Sequence, residues 1–191
     1  MNPLATLKIP ALFIALLSVC HGQDMEVKGE NVRVIRYKDG SQAQFERSDN
    51  NRTIVKKTFP PNGGKFPSLV TVYRMDSTGN PMSCKIFDGG QREELFKVSY
   101  GYRKSDGQLV EERMFDSRVR RISPDNKDIE LPVQRVIYLY NAEGKRSAPI
   151  PINLLPGKTF EEVYGSPSSA LDNPFDKDPK GANPQAKPVG R

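Results

Sequence analysis

The stretch FKVSYGYRKSDGQLVEERMFD, residues 96–116, decides the fold. Its first half alternates without a break. Phe96, Val98, Tyr100 and Tyr102 fall on one side, Lys97, Ser99, Gly101 and Arg103 on the other. A period of two residues is that of a half-buried strand. Asp106-Gly107 then marks a turn, because glycine takes the positive φ that a tight hairpin needs. Beyond it Val110, Glu112 and Met114 share one side, and Glu111, Arg113 and Phe115 the other. The stretch therefore predicts one antiparallel hairpin.

The same plan occurs earlier in the chain. GNPMSCKIFD begins at Gly79 and GQLVEERMFD at Gly107, 28 residues later. The glycines, the bases Lys85 and Arg113, and the Phe-Asp endings coincide. In the first copy Met82, Cys84 and Ile86 share a side, opposite Ser83, Lys85 and Phe87. Tyr73-Arg74 and Tyr102-Arg103 precede the two turns, and Tyr37 and Tyr140 begin weaker copies.

Shorter alternations at Val32/Val34, Val70/Val72 and Val136/Tyr138/Tyr140, with Gly-containing turns between them, extend the pattern. Strands are expected near 26–37, 42–47, 52–59, 68–76, 81–88, 95–104, 108–116 and 133–141. Sequential hairpins imply an all-β antiparallel meander, whether as a twisted sheet, a small sandwich or a half-barrel. Residues 158–164 allow one short helix. Tyr73, Phe87, Tyr100, Tyr102, Phe115, Tyr138 and Tyr140 are expected in the core.

YRKSDGQLVEERMFD, residues 102–116, resembles a unit of the YD/Rhs-type repeats and of the MORN-variant hairpin repeats. Residues 73–88 form a degraded second unit. The resemblance implies stacked antiparallel hairpins, often extracellular or envelope-associated, without enzymatic activity of the hairpins themselves. Arg74 and Arg103 stand where the Asp of the YD dipeptide would be, and no binding residue carries over.

The two ends read differently from the body. Lys8 followed by the apolar run ALFIALLSV, residues 11–19, has the form of a secretory signal, too short for a membrane span of about 20 residues. Cleavage after Gly22 or after Cys20 is expected. Leu17-Ser18-Val19-Cys20 also resembles a lipobox, making Cys20 a candidate lipidation site, although Val19 departs from that pattern. Residues 165–191 hold five prolines and few apolar side chains, the composition of a disordered tail. The expected organisation is a signal peptide at 1–22, an all-β domain at 23–164 and a tail at 165–191.

The chain carries a formal charge of +6. Arg74, Lys85, Arg103 and Arg113 occupy matched repeat positions and form a candidate cationic binding strip; cross-strand pairing with Asp88, Glu111 and Asp116 is the structural alternative. If His21 leaves with the signal, no histidine remains for nucleophilic catalysis. Cys84 is then the one cysteine left in the domain, and its alternation with Met82 and Ile86 favours burial.

Other motifs are weak. Pro156-Gly157-Lys158-Thr159 lacks the upstream glycine of a phosphate loop, and the 125–128 turn (DNKD) lacks the Gly and Glu of a calcium loop. Asn51-Arg52-Thr53 is a glycosylation sequon relevant only in a eukaryotic secretory host. No cofactor, metal or nucleic-acid partner is expected.

The expected function is that of an exported, noncatalytic structural or binding protein of the periplasm, outer envelope or extracellular space. Its expected partner is an envelope protein or anionic polysaccharide, with membrane contact only through a lipidated Cys20. The alternative is a hydrolase using cross-strand carboxylates.

Overall fold

The computed structural model describes residues 24–61, 63–154 and 159–176. The expected signal segment, Cys20 and residues 177–191 lie outside the described residues. Ten strands follow one another: β1 (Asp24–Gly29), β2 (Val32–Arg36), β3 (Gln42–Arg47), β4 (Thr53–Phe59), β5 (Leu69–Met75), β6 (Pro81–Asp88), β7 (Glu94–Tyr102), β8 (Leu109–Asp116), β9 (Gln134–Ile137) and β10 (Ile150–Asn153). They form a single antiparallel sheet in sequence order. β1 and β10 are its two edges, so the sheet is open, not a closed barrel. The helix α1 (Phe160–Tyr164) follows.

The repeat seen in the sequence is one hairpin plan used twice. In the β5–β6 hairpin Met75 faces Pro81, and in the β7–β8 hairpin Tyr102 faces Leu109. Met82 and Val110, matched in the repeat, are thereby the extra residues of two matched β-bulges. Bulges add twist and bend the strand. The bulge also turns Met82 outward, 46% exposed, instead of leaving it in line with Cys84 and Ile86. A matched hydrogen bond closes each unit: the Tyr102 hydroxyl donates to the Pro81 carbonyl at 2.6 Å, and that of Tyr140 to Leu109 at 2.7 Å.

The structure departs from the expected strands at both edges. The segment expected as one strand over 26–37 is the β1–β2 hairpin. The Arg33 guanidinium holds its turn by donating to the carbonyls of Gly29 (2.6 Å), Val32 (3.0 Å) and Glu30 (3.2 Å). β10 lies outside the expected strands. As an edge strand it tolerates Pro151, whose missing N–H is not needed on the open side.

One face of the sheet, here the inner face, is the core. Tyr73, Cys84, Ile86, Phe96, Val98, Met114, Val136 and Tyr138 are all buried on it. Tyr100, Tyr102 and Tyr140 pack at its margin, half-buried. Phe87 and Phe115 are exceptions to the expected core. Register pairs them with Val70 and Lys97 on the opposite, outer face, where both are half-buried.

The inner face is covered by α1 and by residues 165–176. Thr159 caps α1 and Glu162 completes the capping box, which fixes where the helix starts. Its Phe160 ring meets Phe96 edge-on, with centroids 5.0 Å apart. Residues 165–176, expected to belong to a disordered tail, are part of this cover. Residues 165–176 lie on the sheet, with Ser169 and Phe175 each 1% exposed. The Phe175 ring sits between two guanidinium groups, Arg47 at 4.6 Å and Arg33 at 4.9 Å from its centroid.

At the β6–β7 turn the Asp88 carboxylate accepts from the backbone N–H groups of Arg92 (2.7 Å) and Glu93 (2.8 Å). These bonds, the Glu93 one foremost, hold its pKa below the usual value. The neighbouring Gly89 touches the β4–β5 loop so closely that a Cβ there would lie 1.8 Å from the Pro67 carbonyl oxygen. Gly89→Ala is expected to displace that loop and cost about 1–3 kcal/mol in urea unfolding. An unchanged unfolding midpoint would mean that the two loops do not meet.

Candidate functional site

The outer face is built from cations in cross-strand register. Arg74 faces Ser83, Ser83 faces Ser99, Ser99 faces Arg113, and Arg113 faces Arg135. Lys85 faces Lys97 in the adjacent row. The structure therefore brings Arg74, Lys85 and Arg113 of the candidate strip onto one face and adds Lys97 and Arg135. Arg103 is not among them. It lies in the β7–β8 turn, where its guanidinium binds Asp106 and Gln108 and stands 5.4 Å from the Tyr140 ring centroid, at the margin of the inner face.

Carboxylates hold most of these cations in place. Lys85 pairs with Glu94 at 2.7 Å and Lys97 with Glu130 at 3.1 Å. Glu111 bridges Arg113 (3.2 Å) and Arg135 (2.5 Å). Of the acids named from the sequence, only Glu111 pairs with the strip. Asp88 caps its own turn, and Asp116 pairs with Arg118. Arg74 is exposed and makes no ion pair among the described residues.

The inner face carries a polar cluster that the sequence reading passed over. Cys84 and Glu112 hold the same position in the two repeat units. Both lie on the inner face: Glu112 faces Tyr100 of β7, and Cys84 faces Val98 and accepts from the Tyr100 hydroxyl at 3.3 Å. Glu112 is completely buried. One carboxyl oxygen accepts from the Tyr138 hydroxyl and from Ser168 Oγ at 2.6 Å; the other accepts from Ser169 Oγ (2.7 Å) and the Ser169 backbone N–H (3.0 Å). The Ser169 carbonyl in turn accepts from the Tyr73 hydroxyl at 3.0 Å, and the Tyr100 hydroxyl lies 3.1 Å from it. Three strands thereby grip one residue of the covering segment. Burial pushes the Cys84 thiol up to about 12, so this cysteine is a packed, unreactive side chain.

Beside this cluster two clefts open under the covering segment. One, about 390 Å³, is lined by Met25, Ile35, Phe45, Tyr73, Leu171 and Pro174, among others. The other, about 400 Å³, is lined by Asp39, Ala43, Thr58, Leu69, Tyr164 and Ser166, among others. Lys56, Tyr37 and Ala170 line both. Lys56 faces Phe45 and Thr71 on the inner face. Its ammonium lies 6.0 Å from the Phe45 ring centroid. Among the described residues no carboxylate is within ion-pairing distance of it. Burial lowers its pKa from the usual lysine value.

Alternation alone signalled Lys56, between Ile54 and Thr58, and Glu112, between Val110 and Met114: each is a charged residue on an apolar side. The remaining motifs are structural. Glu111 and Glu112 point to opposite faces, so they form no acid/base couple. In the 125–128 turn Asn126 accepts from the Asp128 N–H at 2.9 Å, and Asp125 N–H donates to Ser123. Residues 156–158 of the PGKT sequence lie outside the described residues; Thr159 is the helix cap. Among the described residues no group of three His, Cys, Asp or Glu side chains is arranged to hold a metal ion, and no helix is long and apolar enough to cross a membrane. No family model matches the chain, and no curated protein matches it in sequence.

Glu112→Leu removes an acceptor from four buried donors. It is expected to cost about 3 kcal/mol or more and to open residues 165–176 to limited proteolysis. Glu112→Gln, which keeps one acceptor oxygen, should cost less. A Glu112→Leu variant as stable and as protease-resistant as the parent would show that the covering segment is held by other contacts.

Proposed function

We propose that this chain is an exported, noncatalytic binding module whose outer sheet face contacts an anionic polysaccharide of the bacterial envelope or extracellular space. The observation that carries this reading is the row Arg74, Arg113 and Arg135 with Lys85 and Lys97 beside it, on five neighbouring strands. Phe87 and Phe115 lie half-buried on the same face and offer flat apolar surface between the cations. A polymer with regularly spaced charges matches such a face, because each contact is weak but several act together.

The export reading rests on the apolar run at 11–19 with Lys8 before it. The resemblance to YD/Rhs-type and MORN-variant hairpin repeats supports a scaffold whose hairpins do no chemistry themselves. A hydrolytic site needs two carboxylates facing a shared cleft. Glu112, the one fully buried carboxyl group among the described residues, is occupied by four donors from its own chain, which favours the binding reading.

Arg74→Glu and Arg113→Glu change the net charge by the same amount as Arg103→Glu, which serves as the matched control. Each of the first two is expected to elute from a heparin column at clearly lower salt than Arg103→Glu. Equal elution of all three would reduce the effect to net charge and remove the outer face from the account.

A further inference from the structure

We infer that the paired clefts beneath residues 165–176 form a binding site for a single-chain amphiphile with a carboxylate head, the head meeting Lys56 and the chain lying along Ile35, Phe45 and Leu171. This site is on the opposite side of the sheet from Arg74 and Arg113, so it is independent of the polysaccharide reading.

Three observations lead to it. First, Lys56 is a lysine where the strand pattern calls for an apolar residue, between Ile54 and Thr58 and beside Ala43 and Phe45, which are 0% and 3% exposed. Among the described residues no carboxylate is within ion-pairing distance of it, yet it borders both clefts. A desolvated cation without an anion of its own chain is costly, and a bound anion removes that cost.

Second, the cleft beside it has the size and lining for a chain. Its volume of about 390 Å³ falls within the range of small-molecule sites, about 300–1,000 Å³. Met25, Ile35, Phe45, Leu171 and Pro174 give it apolar walls from strands and covering segment alike. Met25 is 42% exposed at the β1 edge and provides an apolar mouth.

Third, the other charges around the cleft limit the ligand's charge. Asp172 lines the first cleft and Asp39 the second. Both raise the pKa of Tyr37, after burial, so their field reaches into the space. One partly buried cation in clefts that also carry these acids can neutralise one anionic group, not several. Tyr37 lines both clefts with Lys56.

The test uses the full chain and a dansyl-labelled fatty acid as fluorescent probe. Decanoate, decanol and decyltrimethylammonium share one chain length and differ only in the head. Decanoate is expected to displace the probe about tenfold or more better than the other two. Lys56→Met should lower decanoate affinity to that of decanol while keeping or raising the melting temperature.

Equal displacement by the three amphiphiles would overturn the inference, as would no displacement by decanoate. So would a Lys56→Met variant that keeps full decanoate affinity. If Lys56→Met does not fold, the comparison of heads on the parent chain still decides.

Discussion

The Glu112 carboxyl group is the point through which the covering segment and the sheet become one structure. An open meander has two faces, and alternation makes one of them apolar. That face must be covered or the sheet does not hold. The chain has no second sheet and only a five-residue helix among the described residues. It covers the face with α1 and twelve residues of irregular backbone, 165–176. Such a segment has no ladder to satisfy its N–H and C=O groups, so side chains from the sheet must do so. Glu112, Tyr138, Tyr73 and Tyr100 converge on Ser168 and Ser169 and do this.

The repeat explains how these groups come together. Equivalent positions in two hairpins put Cys84 and Glu112 on either side of β7. The matched bulges at Met82 and Val110 bend both hairpins at the same place. A bent sheet lets β5, β7 and β8 reach the same serine. The polar anchor occupies the middle of the covering segment, and ring contacts hold its flanks, Phe160 against Phe96 on one side and Phe175 against the Arg33 and Arg47 guanidinium groups on the other. The clefts around Lys56 are what this narrow cover leaves open.

Much of the sheet was legible from residues alone. Alternation and glycine turns located β3 to β8 closely, since a half-buried strand must alternate. The edges were not legible, for local reasons. Gly29-Glu30-Asn31 turns the chain inside what reads as one strand, and its turn is closed by Arg33, a contact no pattern displays. Pro151 suppresses a strand signal at a position where only an edge could tolerate it. Phe87 and Phe115 read as core because they are aromatic, yet register sends them outward with Lys85 and Arg113. The covering segment was misread because its composition is that of a tail. Four contacts to Glu112 and one buried Phe order it, and composition records neither. On the outer face, register puts the matched bases Arg74, Lys85 and Arg113 on one side of the sheet, and Arg103 stands apart. A turn residue leaves the strand alternation, so its side chain follows Asp106 and Tyr140.

Hydrogen exchange at the Ser169 backbone amide tests the central claim most directly, because that N–H donates to the Glu112 carboxyl and to nothing in the sheet ladder. The account predicts exchange nearly as slow as at the β7 and β8 amides of Val98 and Met114, opening only with the sheet. Exchange at the rate of an unstructured amide, with Val98 and Met114 still protected, would contradict it: the sheet would then fold without its cover, and the carboxyl group would hold nothing in place.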